Sequence, residues 1–114
     1  MPYIHLSTNK QLSKDKKQQV LQDMTALVSR DLGKPGKFIM AGLKDDQDMI
    51  FDGSLDPVVF VELRSIRLPE DQTEKFSQSL SAFVKNHLEV NSDRLFINFR
   101  NVEPHMWGYN GTTF

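Results

Sequence analysis

The chain opens on Met1-Pro2, a pair of residues that can place a basic nitrogen at the N-terminus. Proline in second position leaves the initiator methionine removable, which would make Pro2 a terminal secondary amine. An α-amino group titrates near neutrality, and burial in an apolar site lowers its pKa further. A base that is neutral near pH 7 can abstract a proton from carbon. Retention of Met1 would turn the Pro2 nitrogen into a non-basic amide. On this pair alone, Pro2 is more simply a tolerated second residue without a chemical role.

Composition limits the other chemistries that the chain can support. Its 114 residues suffice for one core, and we expect a single domain over residues 1–114. A net charge of −1 argues against nucleic-acid binding, and the absence of cysteine excludes disulfides and thiol catalysis. The three histidines are widely spaced, so we expect no metal site. Without a leader or a long apolar run, we expect a cytoplasmic protein that has no membrane partner.

Two strand–helix–strand units account for most of the remaining pattern. The first helix has apolar residues every three or four positions, with Ser13 as its N-cap and Gly33 after its last turn. The second opens near Pro69, where proline and carboxylates suit a helix start. The predicted strands are residues 2–8, 37–43, 58–66 and 94–101, giving half repeats of roughly 2–43 and 58–101 plus a C-terminal tail. Residues 45–48 are read as a solvated acidic loop, and residues 49–51 as an apolar segment that could form an edge strand.

This order of elements predicts an α/β fold of the α+β sandwich kind, β-α-β-β-α-β, with both helices on one face of a four-stranded mixed sheet. Each crossover should be right-handed and parallel. Apolar residues of the third and fourth strands are expected on both sheet faces, which is more apolar surface than two helices can cover. We therefore infer an obligate oligomer, in which another copy of the chain covers the second face. The residues concerned are Val58, Phe60, Leu63, Leu95, Ile97 and Phe99.

Several blocks of the sequence together resemble one known family. They are Met1-Pro2, Gly33-Lys34-Pro35, Ser65-Ile66, the run from Asp93 to Phe99, and the tail from Trp107 to Phe114. Each block alone is weak, and the tail alone could be a hairpin that caps the core. The ordered set is similar to the macrophage migration inhibitory factor family of the tautomerase superfamily, which includes D-dopachrome tautomerase. The resemblance implies a homotrimer whose pockets lie between neighbouring subunits.

The resemblance also implies roles for individual residues. Pro2 would be the catalytic base, and Lys34 would hold the carboxylate of a small keto acid substrate. Ile66 and Asn98 would line the pocket, with Asn98 contributed by the adjacent subunit. The other substrate-binding positions that the resemblance implies are Tyr3, Ser65 and the aromatic residues Phe38, Phe96, Trp107, Tyr109 and Phe114.

The implied activity is cofactor-free keto–enol tautomerisation of phenylpyruvate-like, and also dopachrome-like, substrates. Lys34 and apolar walls would lower the pKa of a protonated terminal proline by charge repulsion and desolvation, and the lysine would stabilise the enolate. Two alternatives stay open. One is a cytokine-like binding or signalling protein with a vestigial pocket, as the cytokine role of relatives allows; the resemblance also leaves secretion without a leader open. The other is a hydratase or dehalogenase of small unsaturated acids, which would need an extra carboxylate and an arginine clamp that the sequence does not mark.

Three positions depart from the family pattern. Phe96 stands where the animal cytokine carries a tyrosine, so the hydroxyl of that tyrosine is missing. Tyr109 replaces a tryptophan and Trp107 replaces a small aliphatic residue, so we expect an altered pocket shape and substrate preference. The segment 58–61 aligns with the cytokine's Cys-x-x-Cys, and its lack of cysteine excludes a thiol oxidoreductase activity.

Overall fold

The computed structural model describes all residues from Met1 to Phe114. The main elements, in chain order, are β1 (Tyr3–Thr8), α1 (Lys14–Leu32), β2 (Met40–Lys44), β3 (Val59–Ile66), α2 (Thr73–Leu88) and β4 (Leu95–Val102). A small hairpin of β5 (Gly108–Tyr109) and β6 (Thr112–Thr113) ends the chain. The predicted β-α-β-β-α-β order is confirmed.

The four long strands form one mixed sheet in the order β2-β1-β3-β4. Each strand–helix–strand unit pairs its own strands in parallel, and the two units meet in the antiparallel pair of β1 and β3. Alternate residues of β1 and β3, such as Ile4 and Val61, are fully buried with Met24 of α1 and Leu80 of α2 in a single core. Both helices therefore cover the same face of the sheet. The opposite face is called the open face below.

Local capping fixes both ends of α1 where the sequence predicts them. The Ser13 hydroxyl accepts a hydrogen bond from the Lys16 backbone N–H at 3.1 Å, which satisfies one free donor of the first turn. Gly33 follows the helix in the left-handed conformation with a φ of 64°, and its N–H bonds the Ser29 carbonyl. This turn sets the direction in which Lys34 leaves the helix.

The segment between β2 and β3 differs from the prediction. Residues 49–51 form no edge strand, since Phe51 makes only an isolated bridge to Ser54. Hydrogen bonds from Arg94 hold this loop instead: its guanidinium donates to the carbonyl oxygens of Phe51, Ser54, Asp56 and Pro57 at 2.9–3.2 Å. Four carbonyls of residues 51–57 are thereby satisfied by one side chain.

Residues 45–48 were predicted to be a solvated loop, but the side chain of Asp45 is engaged within the chain. Its carboxylate accepts a hydrogen bond from the Leu12 N–H at 2.9 Å and lies 3.6 Å from the Lys17 ammonium. Asp45 therefore ties the start of the loop to the segment before α1. The predicted second strand also begins later than expected, because residues 36–38 form a 3₁₀ turn and β2 starts at Met40.

The open face is mostly polar, which contradicts the expected surplus of apolar strand surface. Leu95, Ile97 and Phe99 pair in register with Val59, Val61 and Leu63, so all of them face the helices. On β3 and β4 the open face presents Phe60, Glu62, Arg64, Phe96, Asn98 and Arg100. The expectation that these residues form a second apolar face was therefore wrong, because strand alternation sends most of their side chains into the core. Exposed apolar side chains lie mainly elsewhere, at Met40, Ile50, Leu55, Met106, Tyr109 and Phe114.

Candidate active site

A groove of about 1020 Å³ lies where the start of the chain meets the ends of β3 and β4 and the C-terminal hairpin. It is called the N-terminal groove here, and its lining residues come from segments 1–3, 37–40, 100–103 and 106–109, together with Arg64. The Pro2 carbonyl accepts a hydrogen bond from the Met40 N–H at 3.0 Å, which continues the pairing of β1 with β2. Pro2 is fully buried. Sheet pairing therefore fixes the N-terminus in this groove.

The terminal amine of the chain is electrostatically perturbed. Partial burial lowers the pKa of the Met1 amine below its usual 8.0, and the positive charge of Lys34 lowers that pKa further. Both effects favour the neutral amine, because desolvation and a neighbouring cation each destabilise an ammonium ion. With Met1 in place, this amine is the terminal base, and the nitrogen of Pro2 is an amide.

Lys34 belongs to a small polar cluster at the end of β3. Its ammonium donates to the Ser65 hydroxyl at 2.8 Å and to the Ile66 carbonyl at 2.5 Å. Burial, and then the charge of Arg67, lower the pKa of Lys34 below its usual 10.5. Ser65 is fully buried and also donates to the Ile66 carbonyl, at 2.9 Å. The Ser65 hydroxyl thus orients the ammonium, and its predicted contact with a substrate stays a prediction.

Five of the predicted site residues line the N-terminal groove: Pro2, Tyr3, Phe38, Trp107 and Tyr109. Phe114 joins them indirectly, because its ring stacks on Tyr109 with centroids 6.0 Å apart. Lys34, Ser65 and Ile66 form the neighbouring cluster. The lysine of this cluster is close enough to the groove for its charge to lower the pKa of the terminal amine.

Two predicted residues lie away from both the groove and the neighbouring Lys34 cluster. Phe96 and Asn98 are exposed on the open face of β4, and Phe96 packs edge-on against Phe51 at a centroid distance of 5.0 Å. This position suits the expectation that Asn98 serves the pocket of an adjacent subunit, which stays a prediction.

Sequence reasoning missed four charged residues of the groove: Lys37, Arg64, Arg100 and Glu103. The only signal for the two arginines is alternation, since residues 62 and 64 share a face of β3 and residues 98 and 100 share a face of β4. The structure also places Arg64 opposite Tyr3 of β1, which a single strand pattern cannot show.

No three histidine or carboxylate side chains come together in a way that could hold a metal ion. No helix combines the length and apolarity needed to cross a membrane.

Two strand–helix–strand units that share a mixed four-stranded sheet, with both helices on one face, constitute the tautomerase fold. The family model described as macrophage migration inhibitory factor (MIF) matches residues 1–114. A MIF homologue of Trichinella spiralis is 32% identical over the full length of both chains, and the Xenopus tropicalis factor is 32% identical over 83% of this chain and 84% of its own.

Solved structures agree with the sequence matches. A MIF homologue from Prochlorococcus marinus superposes with a TM-score of 0.92 at 30% identity, covering 98% of both chains. The Trichinella spiralis factor superposes with a TM-score of 0.90 at 30% identity, covering 98% of this chain and 99% of its own. The chain therefore belongs to the MIF family. Proteins of this family are in general tautomerase-type isomerases.

Proposed function

We propose that the protein is a cofactor-independent keto–enol tautomerase of phenylpyruvate-like acids, with dopachrome-like compounds as further substrates and Pro2 as the general base. The observation that carries this proposal is the N-terminal amine, which lies in a partly apolar groove and has a lowered pKa. Removal of Met1 would expose the imino nitrogen of Pro2 to the same burial and the same lysine charge. Both effects would favour the neutral form of that nitrogen, which is the form that a base requires.

The reaction needs one proton to move between two atoms of the substrate. The Pro2 nitrogen takes a proton from the carbon next to the ketone. The C–H electron pair becomes the C=C π bond of the enolate, and the π pair of the ketone moves to its oxygen. The prolinium then gives that proton to the enolate oxygen, which yields the enol and regenerates the base. Lys34 stabilises the substrate carboxylate and the enolate charge, and the rings of Phe38, Trp107 and Tyr109 hold the flat substrate.

We also propose a homotrimer with sites between subunits, which is consistent with membership of the MIF family. Two observations support it. Asn98 and Phe96 are exposed on the open face outside the groove of their own chain, and exposed apolar side chains occur at the sheet edge, in the loop and in the tail. Light scattering coupled to size exclusion measures the subunit number. The expected cytoplasmic location stays a prediction.

The tautomerase proposal is tested with three forms of the protein and phenylpyruvate. Intact mass first establishes whether Met1 is removed, and retention of Met1 would refute Pro2 as the base. Pro2→Gly should then reduce kcat/KM by about 100-fold or more, the usual contribution of a positioned base. In a form with one alanine inserted before Pro2, the Pro2 nitrogen is an amide. This form should be similarly impaired, although the inserted alanine supplies a terminal amine. Equal, slow rates for all three forms would refute the enzyme and favour the binding or signalling protein with a vestigial pocket.

A second candidate is the hydratase or dehalogenase of small unsaturated acids. Glu103, Arg64 and Arg100 favour it, because the groove contains the carboxylate and the arginines that the sequence did not mark. Product analysis separates the two candidates, since hydration adds water across a double bond and dehalogenation releases halide, whereas tautomerisation leaves the composition of the substrate unchanged.

A further inference from the structure

Two arginines lie side by side on one wall of the N-terminal groove. Arg64 of β3 and Arg100 of β4 are register partners on neighbouring parallel strands, and both line the groove from the open face. Neighbouring strands lie about 5 Å apart, so partner residues of one face project their side chains close together. These two residues are called the arginine pair below.

The positive charges of the arginine pair are hardly neutralised by carboxylates of the same chain. Arg100 takes part in no ion pair, and Arg64 has a single one, to Glu62 at 3.7 Å with both side chains more than one-third exposed. An exposed pair of this length contributes little to stability. Like charges directly opposite each other on neighbouring strands repel. A bound anion would remove this repulsion and supply both guanidinium groups with acceptors.

The groove as a whole is positive although the protein is not. Lys37 adds a third cationic side chain to the lining, and Glu103 is its only carboxylate. The complete chain has 14 lysines and arginines against 15 acidic residues. Lys34 is not part of this lining, and its ammonium already bonds Ser65 and Ile66. If Lys34 binds one substrate carboxylate, the positive side chains that line the groove are therefore still available for a second anion.

We propose that the arginine pair is an anion subsite, and that the preferred substrate is an aromatic keto acid with a second carboxylate. A planar guanidinium matches a carboxylate through two parallel N–H···O bonds, which lysine cannot make. The 2-oxo acid end lies near Pro2 and Lys34, the flat centre lies against Trp107, and the second carboxylate lies on Arg64 and Arg100. The identity of the reacting end rests on the proposed tautomerase function, whereas the anion subsite does not.

Trp107 allows the subsite to be tested without turnover, because it is the only tryptophan of the chain and lines the groove. Its fluorescence is titrated with terephthalate, which has two carboxylates, and with 4-methylbenzoate, which has the same outline and one carboxylate. The wild-type protein should bind terephthalate about tenfold more tightly, as expected for one additional charge-assisted contact. Arg64→Gln and Arg100→Gln should each reduce this preference several-fold, and the double variant should abolish it with little change for 4-methylbenzoate.

The control variant is Arg30→Gln, which removes the same charge from an exposed site on α1 outside the groove and should keep the preference. Equal binding of the two ligands by the wild-type protein would overturn the subsite. An equal loss of affinity for both ligands in the arginine variants would overturn it as well. A change of subunit number in those variants, with the preference retained, would assign the arginine pair to a subunit interface and equally overturn it.

Kinetics distinguish this proposal from the tautomerase proposal. The kcat/KM ratio of 4-carboxyphenylpyruvate to phenylpyruvate should fall in the arginine variants by the same factor as the binding preference. Pro2→Gly should impair turnover of both substrates and leave the fluorescence preference intact. A binding preference without turnover of either substrate would refute the tautomerase and leave the anion subsite standing.

Discussion

Replacement of Lys34 by methionine is the most informative single perturbation of the proposed site. Methionine keeps an unbranched side chain of similar length and removes the charge. In the structure the lost contacts are the bonds from the ammonium to the Ser65 hydroxyl at 2.8 Å and to the Ile66 carbonyl at 2.5 Å. The Ile66 carbonyl keeps the hydrogen bond from Ser65 at 2.9 Å, so it is not left unsatisfied.

The stability loss from Lys34→Met should therefore be small, on the order of 1 kcal/mol. The lowered pKa of Lys34 points the same way, because it means that burial already disfavours the charged ammonium. The effect on catalysis should be larger. A charge-assisted contact to a substrate carboxylate contributes about 1.5–3 kcal/mol, so its loss should reduce kcat/KM by about 10- to 150-fold.

The pH profile provides the second readout. The charge of Lys34 lowers the pKa of the N-terminal amine, so its removal should raise that pKa. A base acts in its neutral form, and kcat/KM of the wild-type protein should therefore rise with pH through the lowered pKa. In Lys34→Met the same rise should occur at a higher pH, so the variant should be most impaired on the acid side.

The assay is steady-state turnover of phenylpyruvate across neutral pH, with urea denaturation of the same samples. Lys75→Met is the matched control, since Lys75 is exposed on α2 and outside the groove, and its profile should overlay that of the wild type. An unmoved acid limb would show that the charge of Lys34 does not act on the terminal base. A large loss of stability with an unchanged KM would instead make Lys34 purely structural.

Two further predictions concern the loop between β2 and β3. The Leu12 N–H, together with the Lys17 ammonium, holds the pKa of the Asp45 carboxyl below its usual 3.8, so its stabilisation is complete above that value and is lost as pH falls through the lowered pKa. Asp45→Asn should therefore be less stable than wild type at pH 7 in urea denaturation and approach it in acid; a pH-independent difference would contradict this. Arg94→Lys keeps the charge but cannot reproduce four carbonyl contacts, and it should cost about 1–3 kcal/mol and speed hydrogen exchange in residues 51–57. Unchanged exchange there would show that the guanidinium does not hold the loop.

Local sequence signals predicted the elements of the fold well. Ser13 and Gly33 mark the ends of α1, because capping depends on residues within a few positions of the helix end. The tail likewise carries its own turn, since Asn110 and Gly111 adopt the positive φ values of 52° and 80° that a tight hairpin needs. Recognition of the family rested on short blocks that are weak alone and become specific as an ordered set.

Contacts between distant segments were not predictable in this way. His87 of α2 places one ring nitrogen 2.9 Å from the Asp23 carboxylate of α1, and no periodicity in either helix marks this contact. Asp45 and Arg94 similarly bond backbone groups more than 30 residues away. Such partners depend on how the helices and loops pack, which is decided by the whole core.

The sequence by itself determined the order of strands and helices, the caps of α1, the family and the candidate base at Pro2. Only the tertiary structure decided which strand residues face the helices, and with it the polar open face and the placement of Arg64 beside Arg100 in the groove. The physical reason is that alternation defines two faces of a strand without saying which one is buried. That choice, and the register that joins β3 to β4, is made by packing against α1 and α2.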